Sequence, residues 1–139
     1  QAAVTALDTL SRNPNGFFLM IEGSNIDKAA HSNNLEEMME ELLDFDRTAG
    51  AVLDWASKHP GTLVVITADH NTGAFALTGG SREQGEITGR FGSGSHDGVA
   101  VPVYAFGAGS GDFTGIYENT DIFNKIMNAL KKGADKPVR

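Results

Sequence analysis

An α/β layer structure is what this sequence predicts, and three observations predict it. Two short apolar runs, FFLMI at residues 17–21 and LVVI at residues 63–66, are bounded by turn residues, as strands buried on both faces are. Between them Leu35, Met38, Met39, Leu42, Val52, Leu53 and Ala56 recur at helical spacing on one face. Strand, long helix and strand then read as a βαβ unit, which almost always crosses over right-handed.

Taken in order, residues 2–11 place Ala3, Val4, Leu7 and Leu10 at helical spacing, and Asn13-Pro14-Asn15-Gly16 breaks the pattern. The chain starts in what already reads as helix, so its natural beginning is expected to have been removed. After the first apolar run comes a polar stretch at residues 22–34, then the long helix. Asn33 with Glu36, or Asn34 with Glu37, has the spacing of a capping box that starts it. His59-Pro60-Gly61 ends it. Gly50 in its interior costs up to about 1 kcal/mol relative to alanine, which points to close packing there.

The second run is rich in β-branched residues. A third strand is expected over residues 101–106. Pro102 cannot donate to a ladder, so that strand is an edge or begins after the proline. Asn119 or Thr120 caps a final helix through Ile122, Ile126, Met127 and Leu130, with Gly133 just past its end. Residues 1–133 read as one domain, and residues 134–139 as a loose tail. Residues 79–98 stand apart, with seven glycines, two arginines and almost no apolar anchors. That stretch is too long for an ordinary connection and is expected to be a functional or mobile loop.

Composition narrows the function. At 139 residues and 40% apolar content the chain can build one real core and is globular. No apolar run approaches the roughly 20 residues that span a bilayer. Cysteine is absent, which excludes disulfides, thiolate metal sites and cysteine nucleophiles. The net charge of −7 is relieved by no basic stripe, so nucleic acid would be repelled. A phosphate substrate would be repelled too, unless bound metal neutralises the carboxylates.

Three segments carry metal-type donors: E-G-S-N-I-D-K-A-A-H from Glu22, T-A-D-H from Thr67, and G-S-H-D from Gly94. They supply Glu22, Asp27, His31, Asp69, His70 and His96, and with them three of the four histidines. Asp27 and His31 are four apart, so one helical turn places both on one face. Asp69 and His70 are neighbours at the carboxyl end of a strand and face one region only where that strand frays into loop. Glu22 also follows a strand, and open α/β sheets place their sites at such ends. Each piece has an ordinary reading: a helix-terminal carboxylate, a turn, a strand exit, a solvated histidine. Asp97 and Arg90 read as solvated neighbours, and His59 as a helix-end histidine. The ordinary readings are less comfortable together than singly. Imidazole and carboxylate without thiolate suit a catalytic Zn²⁺ site, and carboxylate-rich positions suit Mg²⁺.

At these residues the chain resembles the alkaline phosphatases. The E-G-x-x-I-D-x-x-x-H segment, T-A-D-H after an apolar strand, and G-x-H preceding V-P-V-Y-A-F-G are similar to that family's metal motifs, in the same order. The resemblance implies part of the family's sheet, with helices on its faces. It implies a first zinc held by Asp27, His31 and His96, a second held by Asp69 and His70, and a magnesium held by Glu22. Lys28 would reach the phosphate of a monoester substrate through water. In that family the second zinc activates a serine that attacks phosphorus, and the first stabilises the leaving oxygen. No D-S-A serine motif occurs here. The resemblance is therefore to the carboxyl-terminal portion of such an enzyme, inactive alone, with the nucleophile on a missing amino-terminal half. Homodimerisation and a periplasmic or secreted location follow from the same resemblance. Two other readings stay open: a non-catalytic zinc-binding module, and a fragment of a related metal-dependent phosphodiesterase.

Overall fold

Helix α1 (Ala2–Leu10) buries Leu7 and closes where Ser11 N donates to Leu7 O at 2.9 Å. The reversal that follows is an Asx turn, with Asn15 N donating to Asn13 Oδ1 at 3.0 Å. The computed structural model describes residues 1–134. Its class is the predicted α/β, built with small antiparallel sheets.

Residues 17–21 depart from expectation. Phe17 and Leu19 pack against Leu7, Trp55 and Ala56, whereas Phe18 and Met20 are 64% and 74% exposed. The run therefore covers one face only, and it pairs with no strand among the described residues. An all-apolar run carries no period that could reveal this. Among the described residues no parallel ladder joins this run to the strand that follows the long helix. Strand β1 (Leu63–Thr67) instead pairs antiparallel with a later strand, Val103–Gly107, setting Leu63 opposite Gly107 and Thr67 opposite Val103. That later strand begins directly after Pro102, one of the two placements the proline allows.

Helices α2 (Ser24–His31) and α3 (Leu35–Ser57) meet in a tight corner. Asn33 takes a left-handed conformation at φ 55°. Asn34 N then reaches Ala29 O, and Asn33 N reaches Ala30 O, each at 3.0 Å. This is a Schellman closure with asparagine in the place glycine usually takes. Asn34 starts α3 at once, its Oδ1 accepting from Glu37 N at 3.2 Å. Ala29, Ala30 and Met38 form a small core with Ile26, Leu35, Phe75 and Phe91 around it. Gly50 corrects the expectation of close packing, since a Cβ there would meet nothing within 4 Å.

Residues 79–98 are not one long loop. Strands β3 (Ala76–Ser81) and β4 (Glu86–Arg90) make a hairpin with an irregularity between Leu77 and Gly79. Strands β2 (Asn71–Thr72) and β5 (His96–Asp97) make a second antiparallel pair. The glycines answer to close approach: a Cβ on Gly89 would enter the Phe75 ring, and one on Gly80 would strike the Glu86 carbonyl.

The strand opposite β1 is β6 (Val103–Gly107), followed by a 3₁₀ turn (Ser110–Phe113) that buries Phe113 and by α4 (Asp121–Ala134). Lys125 Nζ donates to Asp112 O at 2.7 Å and Lys132 pairs with its carboxylate at 2.9 Å. Helix α4 runs through Gly133 and does not stop before it. Of the expected tail, Ala134 closes that helix and residues 135–139 lie outside the described residues.

The chain divides into two compact units. One comprises Gln1–Ile21, Arg47–Thr67 and the described residues from Pro102 on, and holds the Leu7–Trp55–Ala56 cluster. The other comprises Glu22–Asp46 and Ala68–Val101, and holds the Ala29–Ala30–Met38 cluster. Among the described residues no helix is long and apolar enough to cross a membrane.

Candidate metal centre

The second unit alone carries every metal-type donor singled out in the sequence. Helix α2 places Asp27 and His31 one turn apart, and His31 Nε2 lies 3.5 Å from Asp27 Oδ2. Strand β5 brings His96, whose Nε2 is 3.5 Å from Asp27 Oδ1 and 3.0 Å from His31 Nε2. The His70 ring stacks on the His96 ring with centroids 3.6 Å apart. One donor atom each from Asp27, His70 and His96 falls within 4.8 Å of the others. Four donors from three segments thus converge.

Hydrogen bonds on the far side of two rings fix their protons. His31 Nδ1 lies 2.8 Å from Gly94 O, and a carbonyl only accepts, so Nδ1 carries the hydrogen. Thr72 Oγ1 donates to Asp27 Oδ1 at 2.6 Å, and accepts from His70 Nδ1 at 3.2 Å. In their neutral forms His31 and His70 therefore both present a bare Nε2 lone pair to the cluster. Those lone pairs face carboxylate oxygens: Asp27 Oδ2 for His31, and Asp69 Oδ2 at 3.3 Å for His70. Acceptor facing acceptor is repulsive unless a proton or a metal ion lies between. With no thiolate in the set, borderline Zn²⁺ suits it, and the residues fit the ion.

The surroundings hold these side chains in place. With its amide turned so that nitrogen faces these acceptors, Asn33 reaches the carbonyls of Ala30 and Ser93 at 3.1 and 2.7 Å, tying the end of α2 to the segment that carries Gly94. Asp97 is not a free solvated group. Its carboxylate accepts from Asn71 Nδ2 at 2.9 Å, and from Ala74 N and Val99 N at 3.0 Å each. Above all the Asn71 amide, and then the Val99 N–H, hold the Asp97 carboxyl below its ordinary value near 3.8. Ala74 adopts φ 45°, a costly conformation for alanine, next to Gly73 at φ 79°. A Cβ on Gly73 would press on Phe91 at 2.8 Å and on Ala30 O at 3.1 Å. Asp27 is likewise held below its ordinary value near 3.8, first by the Thr72 hydroxyl, against partial desolvation.

Other predicted residues sit more openly. The Asp69 side chain is 86% exposed, and Glu22 is exposed just before α2. Lys28 is exposed and donates to Asn25 Oδ1 at 3.2 Å. Arg90 is exposed at the end of β4, opposite Ala76. His59 stacks on Trp55 at 3.7 Å and bonds to its carbonyl at 2.7 Å, as a packed helix-end histidine does. Sequence reasoning missed Thr72 and Asn71. The available signal was that Thr72 follows His70 by two, which places both on one side of an extended segment.

Comparison with known proteins places the chain. The family model for alkaline phosphatase matches residues 1–89. Alkaline phosphatase 4 of Bacillus subtilis is 30% identical, aligning with 94% of this chain and 43% of its own length. Streptomycin-6-phosphate phosphatase of Streptomyces griseus is 36% identical over 83% of this chain and 29% of its own. The structure of the alkaline phosphatase from the Antarctic bacterium TAB5 superposes with a TM-score of 0.85 at 40% identity, over 94% of this chain and 40% of that one. A variant of that enzyme holds Mg in its M3 site. The α/β fold is one found among phosphatases, and this chain belongs to the alkaline phosphatase family. It spans less than half the length of these relatives.

Proposed function

We propose that this chain is the metal-holding, carboxyl-terminal portion of a phosphomonoesterase that uses zinc and magnesium. The observation that carries this reading is the convergence of Asp27, His31, His70 and His96, with bare Nε2 lone pairs set against carboxylate oxygens. Asp27, His31 and His96 would hold the first zinc, Asp69 and His70 would contribute to the second, and Glu22 to magnesium. Support comes from the order of the motifs and from the donor chemistry. Bound zinc supplies Lewis acidity toward phosphoryl oxygens. The chain's own residues do the rest: Gly94 and Thr72 orient the imidazoles, and Thr72 donates to Asp27 and orients its carboxylate. Lys28, on the exposed side of α2, is the candidate phosphate contact through water.

A phosphate monoester is the favoured substrate class, because the relatives that match are named as phosphatases, one of them for streptomycin-6-phosphate. The serine nucleophile, the remaining metal ligands and a homodimer partner belong, in this reading, to a longer protein of which residues 1–133 are one part. A periplasmic or secreted location goes with it. The test is turnover of p-nitrophenyl phosphate at alkaline pH by the purified chain with Zn²⁺ and Mg²⁺. No turnover above the metals alone is expected. Metal-dependent turnover with phosphate bound covalently to this chain would contradict it.

A further inference from the structure

The Thr72 hydroxyl is the shortest polar link in the candidate site, and it has two sides. It donates to Asp27 Oδ1 at 2.6 Å and sits 3.2 Å from His70 Nδ1. Asp27 is proposed for the first zinc and His70 for the second. We infer that Thr72 is a positioning residue that clasps a ligand of each metal, fixing the Asp27 carboxylate rotamer and the His70 tautomer through one oxygen. This rests on the metal-site reading above.

The geometry leaves Thr72 little other work. Its neighbour across the ladder is His96, so β2 and β5 hold the hydroxyl next to the third ligand as well. The oxygen can donate only once. An ionised Asp27 takes that hydrogen, which obliges the oxygen to accept from His70 Nδ1–H. Removing the hydroxyl therefore costs two things together: Asp27 loses its strongest partner, and His70 loses the bond that keeps its proton off Nε2. Outer partners of this kind typically set metal affinity by about 10–100-fold.

The test is zinc affinity of the 139-residue chain, measured by competition with a chromophoric chelator. Thr72→Val keeps the shape of the side chain and removes the oxygen; Thr72→Ser keeps the oxygen. Thr72→Val is expected to weaken Zn²⁺ binding about 10–100-fold, and Thr72→Ser, which keeps the oxygen, to bind clearly more tightly than Thr72→Val. Metal-free melting in EDTA confirms that each variant is folded, and Thr72→Ala replaces Thr72→Val if valine does not fold. Equal affinity of the oxygen-free variant and wild type overturns the inference. So does an equal loss in the valine and serine variants, which would make the effect one of packing. Zinc uptake that Asp27→Ala abolishes but Thr72→Val leaves unchanged overturns this inference alone. Absence of zinc uptake by the wild-type chain overturns the metal reading and this inference with it.

Discussion

His31 Nε2 and His96 Nε2 lie 3.0 Å apart although 65 positions separate them in the chain. Two ring nitrogens at that distance share something, and His31 cannot be the donor in its neutral form, because its hydrogen is spent on Gly94 O. Either His96 supplies a proton or a cation takes its place. The Schellman corner after α2 and the β2–β5 pair are what bring the two rings together.

The first prediction concerns those protons. In metal-free protein at alkaline pH, ring nitrogen NMR should find the hydrogen of both His31 and His70 on Nδ1. Predominant Nε2–H in either ring would remove the argument that the cluster presents lone pairs to a metal. His59, whose Nδ1 faces the Trp55 carbonyl, should show the same tautomer and serves as an internal reference.

Asp97 should matter for folding in acid. Its folded carboxyl lies below the ordinary value near 3.8, chiefly through Asn71. A depressed pKa contributes stability above the unfolded value and loses it as pH falls through the folded one. In EDTA, Asp97→Asn should therefore melt below wild type at pH 7, and the gap should narrow as pH falls below about 4. An equal gap at pH 7 and pH 3 would show that the ionised carboxylate contributes nothing.

Two glycines should respond in opposite directions. Nothing lies within 4 Å of a Cβ at Gly50, inside α3, so Gly50→Ala should stabilise the chain by about 0.5–1 kcal/mol in urea denaturation. At Gly89 the new methyl would enter the Phe75 ring, and Gly89→Ala should cost about 1–3 kcal/mol. The same sign at both positions would contradict the packing described here.

How much of this was legible in the sequence depends on whether burial left a period. Helix α3 and strand β1 were, because helical spacing and a β-branched run signal themselves, and Pro102 offered the start of β6 as one of two readings. Residues 17–21 were not: Phe17 and Leu19 face the core while Phe18 and Met20 do not, yet all four are apolar. The β3–β4 hairpin hid behind glycines that read as loop, although Gly80 and Gly89 are required by a neighbouring backbone and ring. In the site, Asp27, His31, His70 and His96 were singled out by type and spacing, though each alone also had an ordinary reading. Their supports were not, because Thr72, Asn71 and the Gly94 carbonyl are groups that any loop contains.

The most direct measurement is zinc content after dialysis, by elemental analysis, of the wild-type chain beside Asp27→Ala, His31→Ala, His96→Ala and His59→Ala. The account predicts stoichiometric zinc in wild type and in His59→Ala. It predicts a loss in the other three at least as large as the roughly 10–100-fold affinity loss typical of outer partners. Equal zinc in all five proteins, or none in any, would contradict it.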